Sequence, residues 1–390
     1  MKIAMFHFGI YKKGGWGRTF SLARGLALNG CDVTIITSYN KKGFFPVKDY
    51  EEGVKIIKFK DIISINILNK GFGIFSFFNK IIFSVFNKFD IVHADSHRPN
   101  SYYPCIINRY IYKSRFVIEW WDNFGFDGQL KNKSKLFKIF LGNWESKTEI
   151  TSKLKANGVI VLSTVMKERA ILSGVNNSKI RIIHGGADVQ SLRYIDRNKN
   201  YMRNEIYNKY EIIFGYIGYG NNDINDLMCF LKAFKLASSN HSLYFMNFGT
   251  PFSQYYIDNF GINNNIVNCG WIDYSNDNSM LSVPDIFILT KVNNNVNKYG
   301  WPNKIGDYMA CGRAIMINLY GDLSDFVSTY PNGFIIVNNN PENIYKTIED
   351  IIKNQYNLDE MGAYNRFVAE KFISWDKKAQ ELFEYYNEIY

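Results

Sequence analysis

Short apolar runs alternate with amphipathic segments along the whole chain. A polar stretch at residues 196–200 divides the runs into two series. The first series lies at 2–8, 32–37, 54–59, 91–94, 116–119, 159–162 and 180–183, and the second at 212–217, 242–248, 266–269, 286–289, 314–317 and 333–337. Apolar runs of strand length separated by helical patterns are typical of parallel sheets covered by helices. The pattern therefore predicts two doubly wound α/β domains, over residues 1–195 and 205–374.

Length and composition agree with this organisation. The chain has 390 residues, of which 46% are apolar, and this is enough for two packed cores. Its five cysteines are scattered and are never spaced as in a metal knuckle, which favours a reducing compartment. Residues 1–6 lack the long apolar core of a signal peptide and are predicted to form a first buried strand. We therefore expect a cytoplasmic protein.

Charge is divided unevenly between the two halves. Residues 1–195 hold 30 Lys and Arg against 14 Asp and Glu, a formal charge of +16, whereas residues 196–390 have a formal charge of −6. The basic residues form no arginine-rich arm, zinc-finger spacing or aromatic RNA-binding motif, so nucleic acid is not expected as a partner. A basic domain attracts anionic lipid or phosphate groups. The partner that this charge favours is an anionic membrane, contacted peripherally at the inner face of the cell membrane.

An aromatic segment at residues 71–88 bears on the same question. Its apolar region, from Phe72 to Phe86, is interrupted by Asn79 and Lys80 and is shorter than the roughly 20 residues that span a bilayer. Lysines in the middle and at the end are typical of helices that lie in a membrane interface. A helix packed in the first domain is the favoured interpretation, and a membrane-contacting helix is the alternative.

Glycines follow the first predicted strand, in the sequence Gly14-Gly15-Trp16-Gly17-Arg18. Glycine lets the backbone approach a ligand, and the N-terminus of the next helix, predicted over 18–29, offers N–H groups to a phosphate. The alternative is a glycine turn that serves packing alone. Arg18 is predicted either to pair with an anionic acceptor or to lie in solvent.

Polar residues follow the predicted strand at 91–94, at the edge where doubly wound sheets bind ligands. His93, Asp95 and His97 would share one face of a strand, which raises the hypothesis of a metal site. No further Cys or His cluster in the sequence completes such a site, so no metal is expected. Hydrogen bonding at the strand ends is the alternative to a binding role, both here and for Asp122 after the next strand.

The stretch from Trp301 to Arg313 is the most informative part of the chain. It places the cation of Lys304 in a loop, the carboxylate of Asp307 on a short helix, and a glycine before a buried strand. A helix start with a nearby cation and carboxylate is one way in which a fold holds a nucleotide by its phosphate and ribose. We therefore expect Lys304 and Asp307 to bind a nucleotide, with a solvated loop lysine as the alternative for Lys304.

This stretch resembles the signature of retaining GT-B glycosyltransferases of family four, whose helix reads E-A-M-A-C-G-K-P. Asp307 stands at the second acid of the family's Glu-x7-Glu pair, and Tyr299 stands where the first acid would be. A subset of the family reads P-N-K-x-x-D/E-Y-M-A, which is closer to Pro302-Asn303-Lys304 and the residues after it. The resemblance covers nearly the whole chain. It implies two Rossmann-like domains that face a cleft, with a last helix, 375–390, that crosses back to the first domain.

The resemblance implies that the first domain binds the acceptor. Gly15 would lie near the donor phosphates, and His97 would orient the donor sugar. Asp122 or, as a second choice, Asp95 would bind acceptor hydroxyls or take the acceptor proton, a role for which a carboxylate beside a histidine is suited.

The second domain would bind the nucleotide-sugar, with Asp307 on the ribose and Lys304 of the Asn303-Lys304 pair on the diphosphate. The family's usual Arg and Lys after the first strand of this domain are missing. Either Lys304 alone or backbone N–H groups around Gly218 and Gly220 would therefore neutralise the diphosphate. Groups near Trp271 would contact the base.

The resemblance implies a glycosyltransferase that moves a sugar from a nucleotide-sugar donor to a hydroxyl of a glycan or lipid-linked acceptor. Its setting would be the synthesis of cell-surface polysaccharide or glycolipid, with retention of configuration and without a metal or other cofactor. Two alternatives stay open. The missing first acid and phosphate cations fit a non-catalytic subunit that binds nucleotide or glycan, and a GT-B nucleotide-sugar epimerase is the other.

Overall fold

The protein, described by a computed structural model over residues 1–62, 70–125, 128–272 and 279–390, divides into two compact units. The first consists of Met1–Gly185, Tyr299–Trp301 and Trp375–Tyr390, and the second of Gly186–Lys298 and Pro302–Ser374. Each unit is built on a largely parallel sheet. The predicted α/β class with two Rossmann-like domains is therefore confirmed.

The sheet of the first unit has the strand order β3-β4-β2-β1-β5-β6-β7-β8. The bounds are β1 Lys2–Ile10, β2 Asp32–Tyr39, β3 Val47–Glu51, β4 Val54–Lys60, β5 Ile91–Ala94, β6 Arg115–Trp120, β7 Gly158–Val161 and β8 Ile180–Ile182. Neighbouring strands are parallel except β3 and β4, which form an antiparallel hairpin. The apolar pattern does not predict β3, because this edge strand is mostly exposed and contains no apolar run.

Helices accompany the strands of this unit. The bounds are α1 Trp16–Leu28, α2 Ile74–Phe86, α3 Pro99–Tyr112, α4 Lys135–Phe137, α5 Asn143–Leu154 and α6 Thr164–Leu172, with a π-helical turn at Lys138–Gly142. Helix α1 begins at Trp16, two positions before the predicted start at Arg18, with Gly15 at its N-cap. In the part of the chain that the structure describes, no helix is both long enough and apolar enough to cross a bilayer.

The last helix of the chain belongs to the core of the first unit. This helix, Trp375–Ile389, packs against α1, where a Cβ on Gly25 would lie 2.2 Å from the Cβ of Ala379. The hydroxyl of Tyr385 donates to the carbonyl oxygen of Lys179 at 2.6 Å, and Tyr386 is fully buried. The chain therefore returns to its first unit, as the resemblance implies.

The sheet of the second unit has the order β11-β10-β9-β12-β13-β14, and all of its pairs are parallel. The strands are β9 Ile212–Gly218, β10 Leu243–Gly249, β11 Ile266–Gly270, β12 Ile286–Leu289, β13 Ala314–Ile317 and β14 Phe334–Ile336. The helices are α7 Ile224–Ala237, α8 Gln254–Phe260, α9 Asn295–Tyr299, α10 Lys304–Ala310, α11 Asp322–Thr329, α12 Pro341–Ile352 and α13 Leu358–Lys371. The helix that follows in the chain, Trp375–Ile389 of the first unit, is α14. The strand order reverses between β9 and β12, where doubly wound sheets bind ligands.

The second unit begins at Gly186, so residues 186–195 of the predicted first domain belong to it. The polar stretch that suggests a linker is anchored to the second unit by one buried carboxylate. Asp285 accepts hydrogen bonds from Arg197 Nε at 2.7 Å and from Arg203 Nε at 3.0 Å. Arg313 Nη2 also donates to the carbonyl oxygen of Ile195 at 2.9 Å. The stretch at 196–200 has the polar composition of a linker, but the charge of Arg197 is paired within the second unit.

Candidate functional site

The loop after β9 forms one side of the candidate site in the second unit. Gly218 ends the strand, and a Cβ there would lie 2.4 Å from the Tyr216 ring and 2.5 Å from Asp223 Oδ2. Gly220 has a φ of +54°, and a Cβ there would lie 2.5 Å from the carbonyl oxygen of Pro251. Both positions therefore require glycine for packing, and Gly220 also for its left-handed backbone. Their contribution of N–H groups to a diphosphate stays a prediction.

Lys304 begins α10 and reaches this loop. Its Nζ donates to Asp223 Oδ2 at 2.9 Å, contacts the Tyr216 hydroxyl and lies 4.1 Å from the centre of the Tyr216 ring. Burial lowers the pKa of Lys304 to about 8, although Asp223 opposes this shift. The ammonium is therefore charged at neutral pH but already paired, which differs from a solvated loop lysine.

Asp223 is a site residue that the sequence analysis missed. Its Oδ2 also accepts hydrogen bonds from the Tyr216 hydroxyl at 2.6 Å and from the backbone N–H of Tyr219 at 2.9 Å. Burial alone would raise the pKa of Asp223, but Lys304 and these hydrogen bonds lower it to about 2. Its position five residues after Gly218, in the loop at the sheet edge, is the signal that could have found it.

Asp307 lies in the first turn of α10 and is half-buried. Its carboxylate has no hydrogen bond or ion pair to any residue that the structure describes. Burial, together with the nearby carboxylate of Asp188, raises the pKa of Asp307 to about 7. Asn303, at the N-cap of the same helix, is exposed, and its side chain forms no capping hydrogen bond. The predicted motif therefore presents two polar side chains that remain available to a ligand.

Trp271 is exposed just after β11, and its ring meets that of Tyr219 edge-on at 5.8 Å. Since Tyr219 belongs to the loop after β9, the structure brings Trp271 to the same loop as Gly218 and Gly220. An exposed aromatic pair is chemically suited to stacking on a base. A base contact at Trp271 itself stays a prediction.

A second partly buried ion pair, also missed from the sequence, lies just after β12. Lys291 Nζ donates to Asp226 Oδ2 at 2.6 Å, and the backbone N–H of Val292 donates to Asp226 Oδ1 at 2.9 Å. Lys291 also lines a cavity of about 440 Å³ with Asn318 and Asn339. This lysine contributes to lowering the pKa of Lys304, so the two cations share one electrostatic environment.

His97 lies fully buried in the first unit, in a network of charged side chains. Its Nε2 is 2.9 Å from Glu145 Oε1, and Glu145 Oε2 accepts from Arg98 Nη1 at 2.7 Å. Burial, then Lys153 and Arg98, keep the pKa of His97 well below its usual value, so the ring is neutral. Because a carboxylate can only accept, Nε2 carries the proton and Nδ1 is a lone-pair acceptor. Nδ1 has no partner among the described residues.

Asp95 is buried, and the structure satisfies both of its oxygens. Oδ2 lies 2.5 Å from His7 Nδ1, while Oδ1 accepts from the Phe8 backbone N–H and from the Ser101 hydroxyl, each at 3.0 Å. These contacts agree with the alternative interpretation of Asp95, in which it makes structural hydrogen bonds at a strand end and does not bind a ligand. His7, within β1, is a further residue that the sequence does not single out.

Gly15 faces a tryptophan. A Cβ at this position would lie 1.9 Å from the Trp121 ring, and Trp121 Nε1 donates to Glu119. Glu119 also accepts from Arg18 Nε at 2.7 Å, and Arg18 donates to the carbonyl oxygens of Ile183 and His184. Burial would raise the pKa of Glu119, but Arg18 and the nearby His93 lower it to about 2. Arg18 is therefore buried in an ion pair, so the prediction that its side chain lies in solvent is wrong, whereas pairing with an anionic acceptor stays a prediction.

Asp122 lies half-buried just after β6, where its Oδ1 accepts from the Asn123 backbone N–H at 2.8 Å. The three residues of the metal hypothesis have separate partners: His93 contacts the Tyr386 hydroxyl, Asp95 contacts His7 and His97 contacts Glu145. Within the described ranges, no group of three or more His, Cys, Asp or Glu could hold a metal ion.

Comparison with solved structures defines the class of protein. The structure of HepE from Anabaena in complex with UDP matches the full length of both chains, with a TM-score of 0.69 and 12% identity. Sucrose-phosphate synthase from Thermosynechococcus elongatus covers 99% of this chain and 98% of its own, with a TM-score of 0.72 and 14% identity. The fold is therefore that of the GT-B glycosyltransferases.

Sequence comparison identifies the domains. The family model of Glycosyltransferase Family 4 matches residues 14–191, and that of Glycosyl transferases group 1 matches residues 211–354. Both glycosyltransferase domains are therefore present in the chain. An uncharacterized glycosyltransferase of Methanocaldococcus jannaschii is 24% identical over 232 residues, or 58% of this chain. The match spans 57% of the length of that curated relative.

Proposed function

We propose that the protein is a retaining glycosyltransferase that moves a sugar from a nucleotide-sugar donor to a hydroxyl of a glycan or lipid-linked acceptor. The observation that carries this proposal is the start of α10. It brings Lys304 to the glycine loop after β9 and carries Asp307, whose carboxylate has no partner within the described ranges. The two glycosyltransferase domains support the proposal, as do the UDP and UDP-glucose in the structures of the similarly folded HepE.

In the proposed reaction, the bond between the anomeric carbon and the diphosphate oxygen breaks, and a bond between that carbon and the acceptor oxygen forms. In our proposal the acceptor hydroxyl passes its proton to the Asp122 carboxylate, and the nucleoside diphosphate leaves with additional negative charge. Lys304 and the N–H groups near Gly218 and Gly220 stabilise this charge in our proposal, so that a metal ion is not required. Asp307 accepts hydrogen bonds from the ribose hydroxyls.

In the first unit, we assign the acceptor to Asp122 rather than Asp95, because both oxygens of Asp95 already accept hydrogen bonds. His97 retains the proposed role of orienting the donor sugar, for which its neutral ring and Nδ1 lone pair are chemically suited. The setting that we propose is the cytoplasmic face of a membrane, in the synthesis of cell-surface polysaccharide or glycolipid. The charge of +16 on residues 1–195 supports that setting.

The first test is a thermal-shift screen with UDP, GDP, ADP, CMP and dTDP, because ligand binding to the native state raises its stability by mass action. We expect one nucleotide to raise the melting temperature. Asp307→Asn should abolish most of that rise, whereas Asp325→Asn, which changes an exposed carboxylate in the first turn of α11, should leave it unchanged. If none of the five nucleotides raises the melting temperature, the proposed donor site is contradicted.

The second test follows a labelled nucleotide-sugar with and without candidate acceptors. Transfer of label to an acceptor would support the proposed function. A non-catalytic subunit is the second candidate, which the pairing of Lys304 with Asp223 and the presence of Tyr299 at the first acid position favour. Nucleotide binding without turnover would establish that candidate, and isomerisation of the donor without an acceptor would identify an epimerase.

A further inference from the structure

Helix α2 buries polar side chains on the face that packs against the first unit. Ser76, Lys80 and Ser84 are its buried residues, and they are four positions apart. Residues at this spacing lie on one face of an α-helix. The inward face of α2 is therefore a polar stripe, which is the reverse of an ordinary surface helix.

The outward face of α2 is apolar. Ile74, Phe78, Ile82 and Phe86 are exposed by 53%, 58%, 53% and 77%, and they are also four positions apart. The two stripes are offset by two residues, and two residues correspond to about 200° around a helix. They therefore lie on opposite faces, and large apolar side chains face away from the core.

Specific hydrogen bonds hold the helix in this orientation. Lys80 Nζ donates to the carbonyl oxygen of His7 at 2.9 Å, and the Ser84 hydroxyl donates to that of Pro104 at 2.5 Å. The Ser76 hydroxyl accepts from Asn100 Nδ2 at 3.1 Å. Rotation of α2 to bury its apolar stripe would leave these buried polar groups without partners, which is costly. The apolar face is therefore a stable feature of the fold.

Two other segments extend this apolar face. Phe44 and Phe45 are exposed, and the Phe44 ring meets that of Phe75 in α2 at 6.0 Å. On the other side, the Phe137 ring meets that of Phe72, just before α2, at 6.3 Å. The helical segment that contains Phe137 also exposes Leu136, Ile139 and Phe140. We call residues 70–88, which contain α2, together with residues 41–48 and 131–142 the apolar-basic face.

Charge decides which partner fits this face. Residues 41–48, 70–88 and 131–142 contain no aspartate or glutamate and ten lysines, of which nine remain when the inward-facing, buried Lys80 is left out. A second copy of the chain that docked through the same face would bring these lysines together, and like charges repel. Anionic phospholipid headgroups complement the lysines, while the interface beneath them accepts aromatic and aliphatic side chains.

We propose that the apolar-basic face binds the surface of an anionic phospholipid membrane, with the stripe of Ile74, Phe78, Ile82 and Phe86 inserted at the level of the headgroups. The proposal rests on the proposed function for its setting, because it specifies the surface that contacts the membrane. Binding to vesicles, however, is measurable without nucleotide or sugar transfer.

The test is co-sedimentation with vesicles of phosphatidylglycerol and phosphatidylcholine in equal parts. We expect the wild-type protein to sediment with them, and the double variant Phe78→Ser with Ile82→Ser to bind at least about tenfold more weakly. Leu172→Ser is the matched control, since Leu172 is an exposed leucine of the first unit outside the apolar-basic face. It should bind as the wild type does.

The charge is tested separately. Lys41→Glu with Lys42→Glu, both exposed, should weaken binding about tenfold or more, and the wild type should bind much less to pure phosphatidylcholine. The proposal is overturned if the wild type does not bind the mixed vesicles, or if the Phe78 and Ile82 variant binds equally well. A dimer that this variant dissociates, without any vesicle binding, would show instead that the face joins two copies.

The nucleotide screen separates this proposal from the proposed function. The Phe78 and Ile82 variant should keep the thermal shift with the nucleotide that binds the wild type, since both side chains are exposed on α2 and neither is among the residues proposed to bind the donor. If the wild type binds vesicles but no nucleotide, the donor site fails and the membrane surface stands. If it binds nucleotide but no vesicles, the membrane surface fails and the donor site stands.

Discussion

Lys304 and Asp223 form an ion pair with Nζ 2.9 Å from Oδ2, although 81 positions separate them in the chain. The Tyr216 hydroxyl donates to the same carboxylate oxygen. A diphosphate that binds Lys304 must therefore share the ammonium with Asp223 or displace it, which reduces the electrostatic gain on binding. Asp223 thus becomes a determinant of donor affinity in the proposed site.

The Lys304 and Asp223 pair predicts opposite effects for its two members. Lys304→Ala should weaken binding of the nucleoside diphosphate about tenfold or more, because a charge-assisted hydrogen bond contributes about 1.5–3 kcal/mol. Asp223→Asn should strengthen binding, because it removes the competing negative charge. Isothermal titration calorimetry measures both, with Lys346→Ala on the exposed side of α12 as the control. Equal loss in both variants would show that the pair acts only through the fold.

Asp307 predicts a pH dependence of stability. Its pKa is raised from 3.8 to about 7 in the folded protein, so the folded state keeps a proton that the unfolded chain releases in this range. The wild type should therefore lose stability as the pH rises from about 4 to about 7, by at most about 4 kcal/mol. The Asp307→Asn variant should not lose this stability, because its side chain has no proton to release in this pH range. Urea unfolding of both proteins at several pH values measures the difference, and parallel curves would contradict the shift.

Gly15 and Gly17 predict a contrast between two neighbouring glycines. Gly15→Ala should lower the free energy of unfolding by about 1–3 kcal/mol, because its methyl group would overlap the Trp121 ring. Gly17 has no atom within 4 Å of an added Cβ, so Gly17→Ala in helix α1 should be neutral or stabilising by at most about 1 kcal/mol. Thermal unfolding of the two variants makes the comparison. Similar losses in both would place the effect in the loop backbone instead.

Arg18 and Glu119 predict a strong coupling. Arg18→Met should lower the free energy of unfolding by about 3–5 kcal/mol, because it leaves the buried Glu119 carboxylate without its main partner. The double variant Arg18→Met with Glu119→Leu should lose less, because it removes both charges. A double-mutant cycle in urea provides the measurement, and additive losses would argue against a coupled pair.

Much of the fold was predictable from the sequence. Central parallel strands are apolar on both faces, so runs such as Ala314–Ile317 stand out in the pattern. The edge strand β3 was missed because it is mostly exposed. The polar residues at 196–200 show no apolar period and so predict a linker, whereas in the structure Arg197 and the nearby Arg203 pair with the buried Asp285. Such pairing is invisible to a local pattern.

The candidate site divides in the same way. The helix start that carries Lys304 and Asp307 is predictable because the spacing of the two residues is local, and their binding of a nucleotide stays a prediction. Asp223, His7 and Glu145 were missed because each acts through a partner distant in the chain. In the first unit, both oxygens of Asp95 form hydrogen bonds, one of them with His7, which lies 88 positions away in the chain.

By itself, the sequence determined the α/β class, the two-domain organisation and the helix start that carries Lys304 and Asp307, because these depend on periodicity and on residues a few positions apart. Only the tertiary structure decided which charges are paired and which face of α2 meets solvent. The pairing of a charge depends on the burial and the partners that remote segments supply. The orientation of α2 follows from hydrogen-bond acceptors on neighbouring elements, which hold Lys80 and Ser84 inward and leave the apolar stripe outside.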